Sequence, residues 1–263
     1  MLEIKDVSIV FNQGTFDENK ALKNINLNIE KGDFVTVIGS NGAGKSTLFN
    51  VISGNLNPTE GKIFLGGKDI TKLPEYKRSS FIGRIFQNPL LGTAGRMSLL
   101  DNMTVSSKKG WKGLKFSQTA KVKNQFKKEL EKLNMNLENR LNDNVDQFSG
   151  GQRQALTLLM AVMSKPEILL LDEHTAALDP SNAEIVMKLT KEFANAYNLT
   201  VMMITHNMQH AISYGNRLIM MDKGEVILDI SGKEKENLTL EDLNLRFKQI
   251  RKTSITTDRL VLQ

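Results

Sequence analysis

The chain has 263 residues, of which 40% are hydrophobic and 24% are charged. This length accommodates one large α/β domain, or a core with a smaller inserted unit, and the composition is that of a globular protein. The absence of cysteine excludes disulfide bonds and thiolate metal sites. No apolar run approaches the roughly 18 residues that could span a bilayer, so we expect any function at a membrane to depend on a partner.

Much of the positive charge lies in one stretch, residues 108–128, which holds eight lysines and no acidic residue. Such a run is typical of the solvated face of a helical segment, and the alternative is a surface that faces anionic lipid headgroups. Nucleic acid is not an expected partner, because few aromatic side chains are interleaved with the lysines as stacking platforms.

Five segments have the patterns of β-strands, and they are of two kinds. Residues 2–10 and 24–30 alternate apolar and polar side chains, as strands with one buried face do. Residues 34–38, 168–171 and 201–204 are continuously apolar, which is typical of a parallel sheet covered by helices on both faces. Polar turns and helix-like segments follow these strands, so the sequence predicts an α/β fold with a βαβ rhythm.

Helical patterns occupy the rest of the chain. Residues 88–163 are predicted to form an α-helical subdomain inserted into the core, and residues 121–133 carry apolar side chains at helical spacing. The predicted core domain spans residues 1–232. Residues 233–263 are predicted to form a short C-terminal helix and tail, with an amphipathic pattern at 240–250.

Residues 39–47 read GSNGAGKST and lie between an apolar strand and a predicted helix, Lys45–Ser53. Glycines allow backbone N–H groups to surround phosphate oxygens, and the helix N-terminus adds positive potential. The pattern predicts that Lys45 contacts the β- and γ-phosphates of a nucleotide and that the Ser46 hydroxyl binds Mg²⁺. A phosphate-binding loop alone does not choose among kinases, GTPases and transport ATPases.

A second helix start has the features of an anion site. Residues 148–152 read FSGGQ and open an apolar helix, so the two glycines again leave backbone N–H groups accessible. In the simpler interpretation Ser149 is only the N-cap of this helix.

A pair of carboxylates ends the apolar strand ILLLDE. The carboxyl ends of strands are where α/β folds place their chemistry. Asp172 is the expected partner of Mg²⁺, and Glu173 is expected to orient or deprotonate an attacking water.

Together, residues 39–47 and 149–152 resemble the Walker A and signature motifs of the ABC transporter ATPases, and the resemblance covers the predicted core domain. It implies a P-loop NTPase (RecA-like) core with an N-terminal antiparallel β subdomain and an inserted α-helical subdomain. It also implies that ATP and Mg²⁺ are bound and that two copies enclose each ATP, the signature motif contacting the γ-phosphate held by the opposite copy. Phe148 stands where the family usually has leucine.

The resemblance implies one set of nucleotide contacts within a copy: Phe11, Gly39, Ser40, Asn41, Gly42, Ala43, Gly44, Lys45, Ser46 and Thr47. A second set belongs to the dimer interface: Ser149, Gly150, Gly151, Gln152 and Asp179. Phe11 is the expected adenine-stacking residue, with Phe16 as the alternative, because residues 12–20 blur the register of the N-terminal strands.

The implied catalytic residues are Glu173, His206 and Gln87, and the implied metal ligands are Ser46, Gln87 and Asp172. His174 departs from the family pattern, which usually has proline after the glutamate. His174 either replaces a turn residue or titrates near neutral pH beside the catalytic base.

Within the family, residues 86–103 (FQNPLLGTAGRMSLLDNM) and 172–180 (DEHTAALDP) resemble the ATPases of bacterial uptake systems that work with tryptophan- or tyrosine-type binding proteins. This implies solute import at the cytoplasmic face of the cell membrane, with an amino acid as the candidate substrate. The implied partners are a second copy, multi-span permease subunits and, indirectly, an extracellular substrate-binding protein. The alternative is a soluble ABC ATPase that acts on ribosomes or nucleic acid.

Overall fold

The computed structural model describes residues 1–107 and 119–249. The strands in chain order are β1 (Leu2–Phe11), β2 (Asn19–Ile29), β3 (Phe34–Gly39), β4 (Glu60–Leu65), β5 (Lys68–Asp69), β6 (Ile82–Ile85), β7 (Ile168–Asp172), β8 (Thr200–Ile204), β9 (Arg217–Asp222) and β10 (Glu225–Ser231). The helices are α1 (Lys45–Ser53), α2 (Glu75–Arg78), α3 (Leu99–Ser106), α4 (Ala120–Glu131), α5 (Gly150–Met163), α6 (Pro180–Ala196), α7 (Met208–Ser213) and α8 (Gly232–Glu236).

Two sheets form the core, as the sequence patterns predict. An antiparallel sheet has the order β2-β1-β4-β5, and its strands β1 and β2 largely alternate buried and more exposed residues. A six-stranded sheet has the order β10-β9-β3-β8-β7-β6, in which every pairing is parallel except that of β10 with β9. Strands β3, β7 and β8 are buried almost throughout because helices and the other sheet cover both faces. The predicted α/β fold with an antiparallel N-terminal sheet is confirmed.

Strand β2 begins at residue 19 rather than at the predicted residue 24. The pairing of Phe11 with Asn19 extends the hairpin beyond the region of clear alternation, and the register between β1 and β2 shifts three times. These irregularities break the two-residue period on which the prediction relied.

Helices α3, α4 and α5 lie between β6 and β7 in the chain, where an inserted helical subdomain is predicted, and the bounds 88–163 of that subdomain stay a prediction. Phe126 and Leu130 of α4, together with Leu133, are buried in one apolar cluster with residues of α3 and α5. Part of the lysine-rich stretch, residues 108–118, lies outside the described residues. Three of its later lysines, Lys121, Lys127 and Lys128, are exposed on α4, as a solvated helical face requires.

The C-terminal part packs onto the six-stranded sheet. Residues 240–249 are helical, and Leu243 and Phe247 contact an apolar cluster that includes Leu218 and Met220 of β9. The predicted boundary between residues 232 and 233 falls inside α8 and stays a prediction. Across residues 1–107 and 119–249, none of the helices is long and apolar enough to cross a membrane.

His174 lies in the turn after β7 with only 2% of its surface exposed. Its Nε2 lies 3.1 Å from Thr190 Oγ1, and that hydroxyl donates its own proton to Val186 O. Thr190 Oγ1 therefore accepts, so His174 carries its proton on Nε2. Burial, assisted by the nearby His210, lowers the pKa of His174 to about 3, so the ring is neutral at pH 7. This contradicts titration near neutral pH and favours the interpretation of His174 as a turn residue.

We expect the buried neutral ring of His174 to make stability depend on pH. Below pH 6.5 the unfolded chain gains a proton on His174 that the native state cannot accept until the pH approaches 3. The free energy of unfolding should therefore fall on acidification by up to ~1.4 kcal/mol per pH unit from this group. Urea denaturation between pH 5 and 7.5 measures this effect. The free energy of unfolding of His174→Asn should depend less on pH than that of the parent. Parallel pH profiles for the two proteins would refute the assignment.

Candidate functional site

The loop between β3 and α1 is closely packed against two neighbouring strands. A Cβ at Gly39 would lie 2.2 Å from Met221 O on β9, and a Cβ at Gly44 would lie 2.7 Å from Ala21 O on β2. Gly44 also has a φ of +96°, which side-chain-bearing residues rarely adopt. Both positions therefore need glycine, and helix α1 follows over the predicted range, with Gly54 as its C-cap.

Lys45 is buried inside this loop, with 6% of its surface exposed. Its Nζ donates to Gly39 O and to Ser40 O, each at 2.9 Å. Burial lowers the pKa of Lys45, while the carboxylates of Glu173 and Asp172 act in the opposite direction. The N–H groups of the first turn of α1 lack partners within the helix, so ammonium and N–H donors together favour an anion.

A cavity of about 770 Å³ opens in front of the loop. This volume lies in the range of small-molecule sites. The predicted site residues that line it are Phe11, Asn41, Gly42, Ala43, Gly44, Lys45, Ser46, Thr47, Glu173 and His206. Residues that the sequence did not indicate complete the wall: Glu18, Asn19, Lys20, Ala21, Lys23 and Lys223. Phe16 is fully exposed and does not line the cavity. The geometry therefore favours Phe11 over Phe16 as the residue that would stack on the adenine ring.

Glu173 and His206 meet at one edge of the cavity. His206 Nε2 lies 2.6 Å from Glu173 Oε1, and the two side chains are 46% and 16% exposed. Glu173 has a φ of +49°, a conformation that costs a residue with a side chain about 1–3 kcal/mol. The backbone N–H of Glu173 donates to Ile204 O at 3.1 Å. This hydrogen bond joins the turn to β8 and directs the carboxylate of Glu173 toward His206.

Ser46 and Asp172 have the chemistry that Mg²⁺ prefers, since both offer hard oxygen atoms. Ser46 lines the cavity, and Asp172 ends β7 with its side chain 15% exposed. Within residues 1–107 and 119–249 there is no group of three or more acidic or histidine side chains placed to hold a metal. The hydroxyl of Ser46 and the carboxylate of Asp172 fit a Mg²⁺ ion, because Mg²⁺ is commonly held by few protein oxygens together with phosphate and water oxygens.

Several predicted site residues do not line the cavity. Gly39 lies behind the loop, and Ser40 Oγ donates to Asp222 Oδ1 at 2.8 Å. Gln87 is exposed and lies two residues after the end of β6, before the helices that precede β7.

The signature segment and Asp179 lie together on another exposed face. Ser149 caps α5: its Oγ accepts from Gln152 N at 3.2 Å, and Gln152 Oε1 accepts from Ser149 N at 3.1 Å. Gly151 approaches Asn182 so closely that a Cβ would lie 2.4 Å from Asn182 Oδ1. Asn182 in turn donates to Asp179 Oδ2 at 2.6 Å. One chain thus brings Ser149–Gln152 near Asp179, and none of these residues lines the cavity in front of the phosphate-binding loop.

Sequence reasoning missed three polar residues that the fold largely buries. Arg78 is fully buried and donates to four backbone carbonyls, two of them at the end of α1. Gln154 is fully buried on α5 with its Nε2 3.5 Å from Phe86 O. Arg84 binds Asp172. Their local sequences gave no signal, because arginine and glutamine are mostly exposed residues.

Comparisons with known proteins agree with this geometry. The family model described as ABC transporter matches residues 22–176. A tyrosine transport ATP-binding protein of Clostridioides difficile is 45% identical over 249 residues, which cover 94% of this chain and 99% of that protein. A phosphonates import ATP-binding protein of Lactobacillus gasseri is 34% identical over 249 residues, 92% of each chain.

Two solved structures have the same fold. The dimeric post-hydrolysis state of the ATP-binding cassette MJ0796, bound to ADP and Pi, matches with a TM-score of 0.73 and 29% identity over 88% of this chain and 98% of that one. The cbiO1 component of an ABC transporter complex from Clostridium perfringens matches with a TM-score of 0.76 and 27% identity over 98% and 96% of the chains. Because the family match spans more than half of the sequence and the relatives span nearly all of it, this chain belongs to the ABC transporter family, as an importer-type ATP-binding subunit that hydrolyses ATP.

Proposed function

We propose that two copies of this chain enclose ATP and hydrolyse it to drive uptake of an amino acid, with tyrosine or a related aromatic amino acid as the substrate class. The observation that carries the dimer is the separation of the two phosphate-binding helix ends. The start of α1 lines the cavity, whereas Ser149 and Gly150 at the start of α5 are exposed and lie outside it. A second copy, turned to face the first, would bring its α5 to this cavity and complete it.

Hydrolysis requires a water to attack the γ-phosphorus while the bond to the bridging β–γ oxygen breaks. Glu173 would accept the proton of that water, and His206, which holds Glu173 Oε1, would position the carboxylate and contact the γ-phosphate. Lys45 and the first turn of α1 would hold the β- and γ-phosphates, and Phe11 would stack on adenine.

The metal ligands of this proposal are Ser46, Asp172 and Gln87. These residues would hold a Mg²⁺ ion, which would neutralise part of the negative charge of the phosphates. Ser46 lines the cavity. Asp172 is the last residue of β7, and Gln87 follows β6, the strand that pairs in parallel with β7. Ser149, Gly151 and Gln152 would contact the γ-phosphate of the facing copy, and Asp179, which is linked to Gly151 through Asn182, would lie in the same interface.

Import and location rest on the relatives. The tyrosine transport protein shares 45% of its residues with this chain along nearly its whole length, which favours an amino acid over other solutes. The proposal places the dimer at the cytoplasmic face of a bacterial membrane, bound to permease subunits that receive substrate from an extracellular binding protein.

Purification of the chain from native membranes, followed by mass spectrometry, tests this assembly. We expect a multi-span permease to co-purify, and ATPase activity of the reconstituted complex to rise with its binding protein loaded with tyrosine. Co-purification with ribosomal proteins in place of a permease would contradict the import proposal. Stimulation by phosphonate but not by tyrosine would contradict the substrate class.

Glu173→Gln tests the catalytic carboxylate. Glutamine keeps the shape of the side chain but cannot accept the proton, so we expect turnover to fall by about 10²–10⁴-fold and an ATP-bound dimer to accumulate. Light scattering with ATP and Mg²⁺ measures the dimer. The control is Glu167→Gln, just before the opposite end of β7, which should behave like the parent. A Glu173→Gln protein that stays monomeric with ATP would count against the two-copy site.

Ser149→Arg tests the contribution of the facing copy. The larger cation should block contact with the partner's phosphates, so ATPase activity should be lost while ATP affinity of the monomer stays within about two-fold. Loss of the N-cap costs about 1 kcal/mol by itself. Thr119→Arg, at the exposed N-cap of α4, controls for that loss. Equal loss of activity and monomer affinity would mean that Ser149 acts within its own chain or in folding.

A further inference from the structure

Arg84 connects three elements at the phosphate end of the core. It lies on β6, one residue before the end of the strand, and its guanidinium reaches across to β7 and α1. Its Nη2 donates to Asp172 Oδ2 at 3.1 Å, and its Nη1 donates to Asn50 Oδ1 at 2.7 Å and to Ser53 Oγ at 3.2 Å. The side chains of Arg84 and Asp172 are 11% and 15% exposed, so solvent screens this pair little.

The partners of Arg84 on α1 lie on the same stripe of the helix as Ser46. Asn50 follows Ser46 by four residues and Ser53 follows it by seven, and this spacing places all three side chains on one helical face. A single guanidinium therefore joins Asp172 to the face of α1 that carries Ser46.

Arg84 also contacts the segment that leads to Gln87. Its guanidinium carbon lies 4.7 Å from the centre of the Phe86 ring, which precedes Gln87 in the chain. The buried Arg84 Nε makes no hydrogen bond, so the aromatic ring and the three hydrogen bonds hold the group in place. Arg84 thus touches Asp172 and, through α1 and Phe86, the elements that carry Ser46 and Gln87.

We propose that Arg84 is a positioning residue for the magnesium site and sets the separation between Ser46 and Asp172. The planar guanidinium can bind the carboxylate and the α1 stripe at once, whereas a lysine ammonium presents no such fork. The bond to Arg84 uses Asp172 Oδ2 and leaves Oδ1 for the metal or its bound water. This inference rests on the proposed function, because it takes Ser46 and Asp172 as metal ligands.

The test compares ATP affinity of the monomer with Mg²⁺ and with EDTA, measured by equilibrium dialysis, so that turnover plays no part. For Arg84→Met we expect the gain in affinity due to Mg²⁺ to fall by about 10-fold, as for other residues that orient metal ligands, with the affinity in EDTA unchanged. Asn50→Leu keeps the charge of Arg84 but removes its strongest bond to α1, and it should reproduce most of this loss. Arg84→Lys should fall between the parent and Arg84→Met.

Arg217→Met is the matched control. Arg217 is also a largely buried arginine of the six-stranded sheet, with its side chain 16% exposed and its Nη2 2.6 Å from Asp229 Oδ2. It starts β9, at the end of the sheet opposite to the phosphate-binding loop. Its loss should lower the melting temperature without changing the effect of Mg²⁺ on ATP affinity.

The outcomes separate this inference from the proposed function. If Asp172→Asn leaves the Mg²⁺ effect intact, the metal site of the proposed function is wrong. If Asp172→Asn abolishes the effect while Arg84→Met and Asn50→Leu preserve it, only the role of Arg84 is overturned. An effect of Arg84→Met without one of Asn50→Leu would also overturn it, because the charge and not the bridge would then matter. If Arg84→Met does not fold, Arg84→Lys and Asn50→Leu decide the question.

Discussion

Lys45 is a charged side chain that the fold buries, and the arrangement of the phosphate end of the molecule follows from that burial. An ammonium group away from water needs acceptors, and the carbonyls of Gly39 and Ser40 supply them only because the loop curls back around the side chain. That curl requires glycine at positions where Met221 and Ala21 come too close for a Cβ. The buried cation also needs negative charge nearby, and the ends of the parallel strands provide it in Asp172 and Glu173.

Each of these two carboxylates has its own cationic or hydrogen-bonding partner. Arg84 binds Asp172, and His206 binds Glu173, so a network of ion-paired and hydrogen-bonded side chains extends from the loop across the strand ends. Partly buried charges of this kind cost little free energy only when every member is paired, because an unpaired one carries the full desolvation penalty. The network therefore presents oxygen and nitrogen atoms at defined places before any nucleotide arrives.

The face that carries Ser149 and Asp179 is organised separately. Its glycine, Gly151, allows α5 to approach Asn182 of α6, and Asn182 binds Asp179 at the start of that helix. Ser149 and Gly150 of this face are exposed and lie outside the cavity around Lys45, which is itself open toward solvent. Two incomplete halves on one chain give a physical reason for a site made by two copies, and the dimeric MJ0796 cassette with ADP and Pi is a solved structure to which this chain is similar.

The sequence by itself determined the parts that depend on local backbone geometry and on hydrophobic period. Short runs of consecutive residues contain the glycine pattern of residues 39–47, the carboxylates at the end of an apolar strand and the two kinds of strand pattern. The fold class predicted from them was correct. Only the tertiary structure decided that Phe11 and not Phe16 lines the cavity, that His174 is neutral, and that Arg84 binds Asp172. These outcomes depend on burial and on side chains that approach from distant segments, such as Arg84 and Asp172, which are separated by 88 positions in the sequence. No local pattern encodes such contacts, because they exist only once the strands have paired and the helices have covered them.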